Sequence, residues 1–84
     1  MPFLPSLPDP AHLMDLYARF PENVRPLMDY TDGLLRGEGE LSVGERELIA
    51  TYVSALNACT FCAGAHRAYA EVFGIDGALI DALI

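Results

Sequence analysis

Lysine is absent from this 84-residue chain, and only five arginines stand against twelve acidic residues, for a formal net charge of −7. Such a surface repels phosphate backbones and anionic headgroups, so neither nucleic acid nor a membrane surface is an expected partner. Long apolar runs are also missing. The opening MPFLPSLPDP has no basic segment and its prolines break up the leucines, so it reads as neither a secretory signal nor a membrane span. The expected location is therefore cytoplasmic. Cysteine is limited to two residues that lie too close in sequence to close a large loop, which excludes a disulfide scaffold and points to a redox pair or a metal knuckle. Nor does any stretch alternate apolar and polar residues long enough for a strand, and nothing repeats. What is left is an all-α chain.

A chain this short is one domain, residues 1–84, and buries only about 60 to 65% of the surface that its unfolded form exposes. Hydrophobic residues make up 52% of it. So much apolar surface on so small a body predicts a helical bundle completed by self-association.

Residues 1–8 form a proline-spaced arm whose Phe3, Leu4 and Leu7 could strap a neighbouring surface or fray. Asp9 followed by Pro10 reads as an N-cap and first-turn proline of a helix carrying Leu13, Leu16, Tyr17 and Phe20, ended by Pro21. His12 reads as surface. Asn23 reads as the cap of a second helix with Pro26 in its first turn, an apolar stripe of Leu27, Tyr30 or Thr31, Leu34 and Leu35, and a stop at Gly37. Ser42 with Glu45 three residues on is a capping box for a third helix.

From 48 to 56 that third helix is almost wholly apolar. Glu47, Thr51 and Ser54, its polar residues, fall within roughly 60° of one another at about 100° per residue, so they should face something polar. If the chain reverses near Leu56 and Asn57 and returns as an antiparallel helix over about 60 to 73, Glu47 stands level with His66, Thr51 with Cys62, and Ser54 with Cys59. Cys62 and His66 are four apart and share a face, with Cys59 at the amino-terminal edge. A helix amino end favours thiolate, and an imidazole one turn deeper accepts its proton while Glu47 orients the ring. Such a site attacks an electrophilic oxygen: one cysteine becomes a sulfenic acid, and the other condenses with it to a disulfide. Taken singly, Glu47 reads as exposed helix surface and His66 as a packing residue. Phe61, Tyr69 and Phe73 read as core or pocket wall, and Arg46 and Arg67 as salt-bridge partners at the surface or between subunits.

In ERELIATYVSALNACTFCAGAH the chain resembles the alkylhydroperoxidase D and carboxymuconolactone decarboxylase superfamily, and within it the peroxidase-related branch. The carrying pattern is a glutamate twelve residues before a Cys-x-x-Cys and a histidine four after it, here Glu47, Cys59, Cys62 and His66, with the S-A-x-N-x-C lead-in at 54–59. The resemblance runs from about Leu41 to Gly74 and more loosely over the start and the GEGELS turn. It implies an alkylhydroperoxidase-like all-helical oligomer, dimer to hexamer, built around a central antiparallel hairpin. It implies reduction of hydroperoxides without a bound cofactor, Cys62 attacking, Cys59 resolving, and an external dithiol regenerating the pair. Two departures stand out. Phe61 occupies a place where the best-known peroxidase of the family has a relay histidine. Relatives in the branch also continue for several helices beyond the position of Ile84, so the apolar face of Leu79, Ile80, Leu83 and Ile84 after the Asp76 cap implies a truncated form or a covering second subunit. The alternative readings are a helical oligomer that senses redox state without catalysis, and a zinc module using Cys59, Cys62, His66 and Glu47.

Overall fold

The computed structural model describes residues 4–84, so Phe3 of the amino-terminal arm lies outside it. Five helices follow in order: α1 (Leu13–Arg19), α2 (Pro21–Arg36), α3 (Val43–Leu56), α4 (Thr60–Val72) and α5 (Gly77–Leu83), with no strand among the described residues. The all-α expectation holds. The chain separates into two compact units, one ending at Leu34 and the other spanning Leu35–Ile84.

In the first unit, two helix starts differ from the expectation. α1 begins at Leu13 rather than after Asp9, because the Asp15 carboxylate accepts the His12 backbone N–H at 2.8 Å and fixes the N-cap there. α2 begins at Pro21 rather than after Asn23. A proline at the first helical position needs no N–H and its φ is already helical, while the Phe20 carbonyl accepts from Val24 N–H at 3.1 Å. Pro21 therefore opens a helix as well as closing one, and Pro26 falls inside α2 instead of in its first turn. Leu27, Tyr30 and Leu34 of the expected stripe are exposed.

The second unit is organised by α3 packed on α4. Ser42 caps α3 as expected: its hydroxyl accepts from Glu45 N–H at 3.1 Å, and the Glu45 carboxylate accepts from Ser42 N–H at 2.8 Å. That second bond holds the Glu45 carboxyl below its ordinary range. Arg46, expected at the surface, pins the loop before α3 by donating to the carbonyls of Gly37 and Leu41. α3 and α4 are joined by a tight reversal in which Ala58 N–H reaches Ala55 O and Cys59 N–H reaches Ser54 O, both at 3.0 Å. This is a Schellman closure with Ala58 in the left-handed conformation at φ 54, where glycine is usual. Its consequence is positional. Cys59 leaves the turn in extended backbone as the N-cap residue of α4, and the chain doubles straight back along α3.

α4 closes in the same way, with Gly74 at φ 98 and Ile75 N–H on Ala70 O. The Asp76 carboxylate then caps α5 through Ala78 N–H at 3.0 Å, as expected. Arg67 ties α4 to α5 by pairing with Glu71 at 3.0 Å and Asp81 at 2.7 Å within the chain. Ile80 and Ala70 are fully buried, whereas Leu79, Leu83 and Ile84 remain exposed. The closest approach in the unit is at Gly44, where a Cβ would stand 2.8 Å from the Phe73 carbonyl oxygen and 3.2 Å from Ile75 Cγ1.

Gly44→Ala should therefore lower unfolding stability by about 1 to 2 kcal/mol despite the better helix propensity of alanine, since backbone must move to admit the methyl. Gly64→Ala, with nothing within 4 Å of its Cβ, should raise stability by about 0.5 to 1 kcal/mol. Urea unfolding of the two variants side by side checks both signs.

Candidate functional site

Glu47 is the deepest charge in the second unit, with 1% of its surface exposed. A carboxylate in that position is strongly destabilising unless paired and hydrogen-bonded. Both of its oxygens are engaged. Oε1 accepts from Arg36 Nη1 at 2.6 Å, and Oε2 meets His66 Nδ1 at 2.6 Å. The second contact is the one expected from the antiparallel pairing, and it refutes the reading of Glu47 as helix surface. With the Glu47 carboxylate accepting, the Nδ1 position of His66 carries the proton and Nε2 presents its lone pair, the tautomer that a base needs.

Arg36 has no counterpart in the sequence analysis. It stands at the carboxyl end of α2, and its guanidinium lies 5.2 Å from the Tyr69 ring centroid and 5.0 Å from that of Phe73. Tyr69 and Phe73 are thus exposed flanks of a cation rather than core, and Phe61, at 69% exposure, is no pocket wall either. The signal that could have found Arg36 is the buried carboxylate itself. A carboxylate placed on the inner stripe of an apolar helix demands a cation, and only five residues of the chain can be one.

The other two pairings resolve differently. Thr51 is buried, but its hydroxyl donates to the Glu47 carbonyl at 2.8 Å, one turn back in its own helix. Ser54 meets Cys59 through its backbone carbonyl. The two cysteines are half-buried, are not joined in a disulfide, and act on each other. Hydrogen bonding from the Cys62 thiol, helped by the Cys62 backbone N–H, brings the Cys59 thiol below its ordinary value. The same bond raises Cys62, with burial and the neighbouring Cys59 charge adding to it. The pair therefore shares one proton unequally: the first sulfur of the motif gives it up, and the second keeps it.

Beside Cys59 the protein opens a cavity of about 360 Å³ lined by Ala55, Ala63, Gly64, Arg67 and Ile84 among others; Cys62 is not in its wall. Among the described residues no group of three or more His, Cys, Asp or Glu side chains is placed to hold a metal ion, and both Glu47 oxygens are already occupied. No described helix is long and apolar enough to cross a membrane.

Three comparisons bear on what this arrangement is. The model of the carboxymuconolactone decarboxylase family matches residues 21–84, a span that contains Arg36, Glu47, both cysteines and His66. No curated protein and no solved structure matches the chain.

Arg36→Met should leave the Glu47 carboxylate with half its partners and lower stability by about 3 kcal/mol, with Arg36→Lys recovering part of the loss. Nitrogen-15 shifts of the His66 ring should report the Nδ1–H tautomer in the wild type and a mixture in Glu47→Gln. Wild-type shifts in that variant would dissociate the carboxylate from the ring.

Proposed function

The chain belongs to the carboxymuconolactone decarboxylase family, and from that membership we propose that it is a thiol-dependent hydroperoxide reductase working through Cys59 and Cys62. The family contains decarboxylases as well as alkylhydroperoxidases. What favours the second chemistry is the dithiol, for which a decarboxylation has no use.

The observation that carries the reading is the Arg36–Glu47–His66 chain, which ends at an imidazole on the same helix as the sulfur pair. Reduction of a hydroperoxide by two thiols needs three things: a thiolate to attack oxygen, a second thiol to displace the resulting hydroxide, and a group that carries protons between them. Cys59 and Cys62 supply the sulfurs. His66, held through Nδ1, supplies the carrier at Nε2, and Glu47 stabilises the imidazolium that forms when it takes a proton. Arg36 keeps Glu47 ionised for that purpose, a function that does not require a histidine where Phe61 stands. The thiolate attacks the terminal peroxide oxygen, an S–O bond forms as the O–O bond breaks, and the alkoxide departs as alcohol with a proton. The second thiolate then attacks the sulfenic sulfur, forming the disulfide and releasing water.

An external dithiol restores the pair by two thiol–disulfide exchanges, and no bound cofactor takes part. The exposed apolar side chains of Leu79, Leu83 and Ile84 support assembly as a homo-oligomer, and the absence of lysine and the acidic surface support a partner set without nucleic acid.

The test is peroxide consumption by the full chain with dithiothreitol as electron donor. Cys59→Ser and Cys62→Ser should each abolish turnover, and His66→Ala should slow it by about a hundredfold. Turnover that survives both serine substitutions would refute the reading.

A further inference from the structure

The resemblance assigns the attack on peroxide to the second cysteine of the motif, but the cavity lies beside the first. We propose that Cys59 is the sulfur that attacks, that Cys62 resolves, and that the cavity seats the organic part of a small uncharged hydroperoxide. The inference rests on the peroxidase reading above and specifies which sulfur does what.

The geometry separates the two sulfurs by their surroundings. On α4, Ala63, Gly64 and Arg67 of the cavity and the pair Cys62 and His66 point in mean directions roughly 110° apart around the helix axis. Cys59 stands ahead of the first turn, where those faces meet, and it is a wall residue of the cavity. A molecule entering there meets Cys59 first. Cys62 instead shares its face with His66, one helical turn away, whose Nδ1 is bonded to Glu47.

The proton distribution suits the same division. The attacking sulfur must be thiolate before the substrate arrives, and Cys59 is the one whose proton is more easily lost. The resolving sulfur must keep its proton until the sulfenic acid exists and then lose it to a base. Cys62 holds its proton more tightly, and the base is beside it. In sequence, the Cys59 thiolate attacks the terminal oxygen, the S–O bond forms, the O–O bond breaks, and the alkoxide takes a proton from water. His66 Nε2 then removes the Cys62 proton, the Cys62 sulfur attacks Cys59, the S–S bond forms, and the hydroxide leaves as water with the proton that His66 returns. Two thiols are oxidised by two electrons in all, and one hydroperoxide becomes alcohol and water.

The cavity wall also states what fits. Ala55, Ala63, Gly64 and Ile84 offer small apolar surfaces, and Arg67, its one cation, is already matched by Glu71 and Asp81. An uncharged organic group is therefore accommodated better than a carboxylate, which would compete with two anions already in place. A volume of about 360 Å³ lies at the small end of ligand sites.

The experiment uses the full chain as Cys62→Ser, which keeps Cys59, and as Cys59→Ser, which keeps Cys62. Each is mixed with cumene hydroperoxide in the presence of dimedone, and sulfenic acid adducts are timed by intact mass. Cys59 should be captured at least about tenfold faster than Cys62, and adding His66→Ala to the Cys62→Ser chain should leave that rate unchanged. Faster capture at Cys62 overturns the assignment and leaves the peroxidase reading standing, whereas no capture at either sulfur overturns both. Gly64→Leu, which has free space for its side chain, should slow capture by cumene hydroperoxide about tenfold while sparing hydrogen peroxide. Equal rates in that variant for both oxidants, or no change for either, would remove the cavity from the proposal.

Discussion

A carboxylate sealed from water at Glu47 is the constraint from which the second unit follows. Left alone, that charge would outweigh much of what an 84-residue chain gains by folding, since net stabilities are only about 5 to 15 kcal/mol. The structure meets the demand with two donors from two different helices, Arg36 at the end of α2 and His66 in the middle of α4. Both must converge on one side of α3. The Gly44 contact lets α3 start hard against the α4–α5 turn, and the Schellman closure at Ala58 sends α4 back along α3 in the register that places His66 opposite Glu47. Arg36 in turn is held over Tyr69 and Phe73, so the cation is oriented by the helix that carries the histidine.

Much of this was legible in the sequence because polar residues are rare in α3. An acid, a threonine and a serine confined to one stripe of an apolar helix have few ways to be satisfied, and an antiparallel return at Asn57 aligns them with the only thiols in the chain and one of its two histidines. The Glu47–His66 contact, the Ser42 and Asp76 caps, and the all-helical architecture could be read for that reason. The family resemblance and the spacing agreed on the same four residues. The pairing was less informative at Thr51 and Ser54, because a hydroxyl can satisfy itself on its own helix, as Thr51 does on the Glu47 carbonyl.

What escaped the sequence has physical causes as well. Helix starts in the first unit are set by competition between caps, and Asp15 reaching back to His12 prevails over Asp9. A proline that ends one helix is equally fit to begin the next, so Pro21 could not be ranked against Asn23 by local preference. Arg36 lies eleven residues before its partner, outside any helical spacing rule, and only burial of Glu47 singles it out from the other four arginines. The cavity was invisible because Ile84, at the far end of the chain, contributes a wall beside a turn at residues 58 and 59. The aromatic side chains misled in the opposite direction: apolar rings suggested core, yet a guanidinium can use the faces of Tyr69 and Phe73 without burying them.

An unequal dithiol also accounts for how one opening could serve both halves of a catalytic cycle. Once oxidised, the pair must be attacked by an external thiolate at whichever sulfur is reachable, and exchange runs faster when the departing sulfur is well stabilised as it leaves. Attack through the cavity at Cys59 expels Cys62 as the departing thiolate, on the face where the imidazolium of His66 stands ready to return a proton. The reverse order would expel Cys59 and leave the incoming reductant attached to the sulfur away from the cavity. Thus the contact between Glu47 and His66, which looks like structural compensation for a buried charge, would serve the second sulfur twice per cycle: as a proton acceptor when the disulfide closes and as a proton donor when it opens.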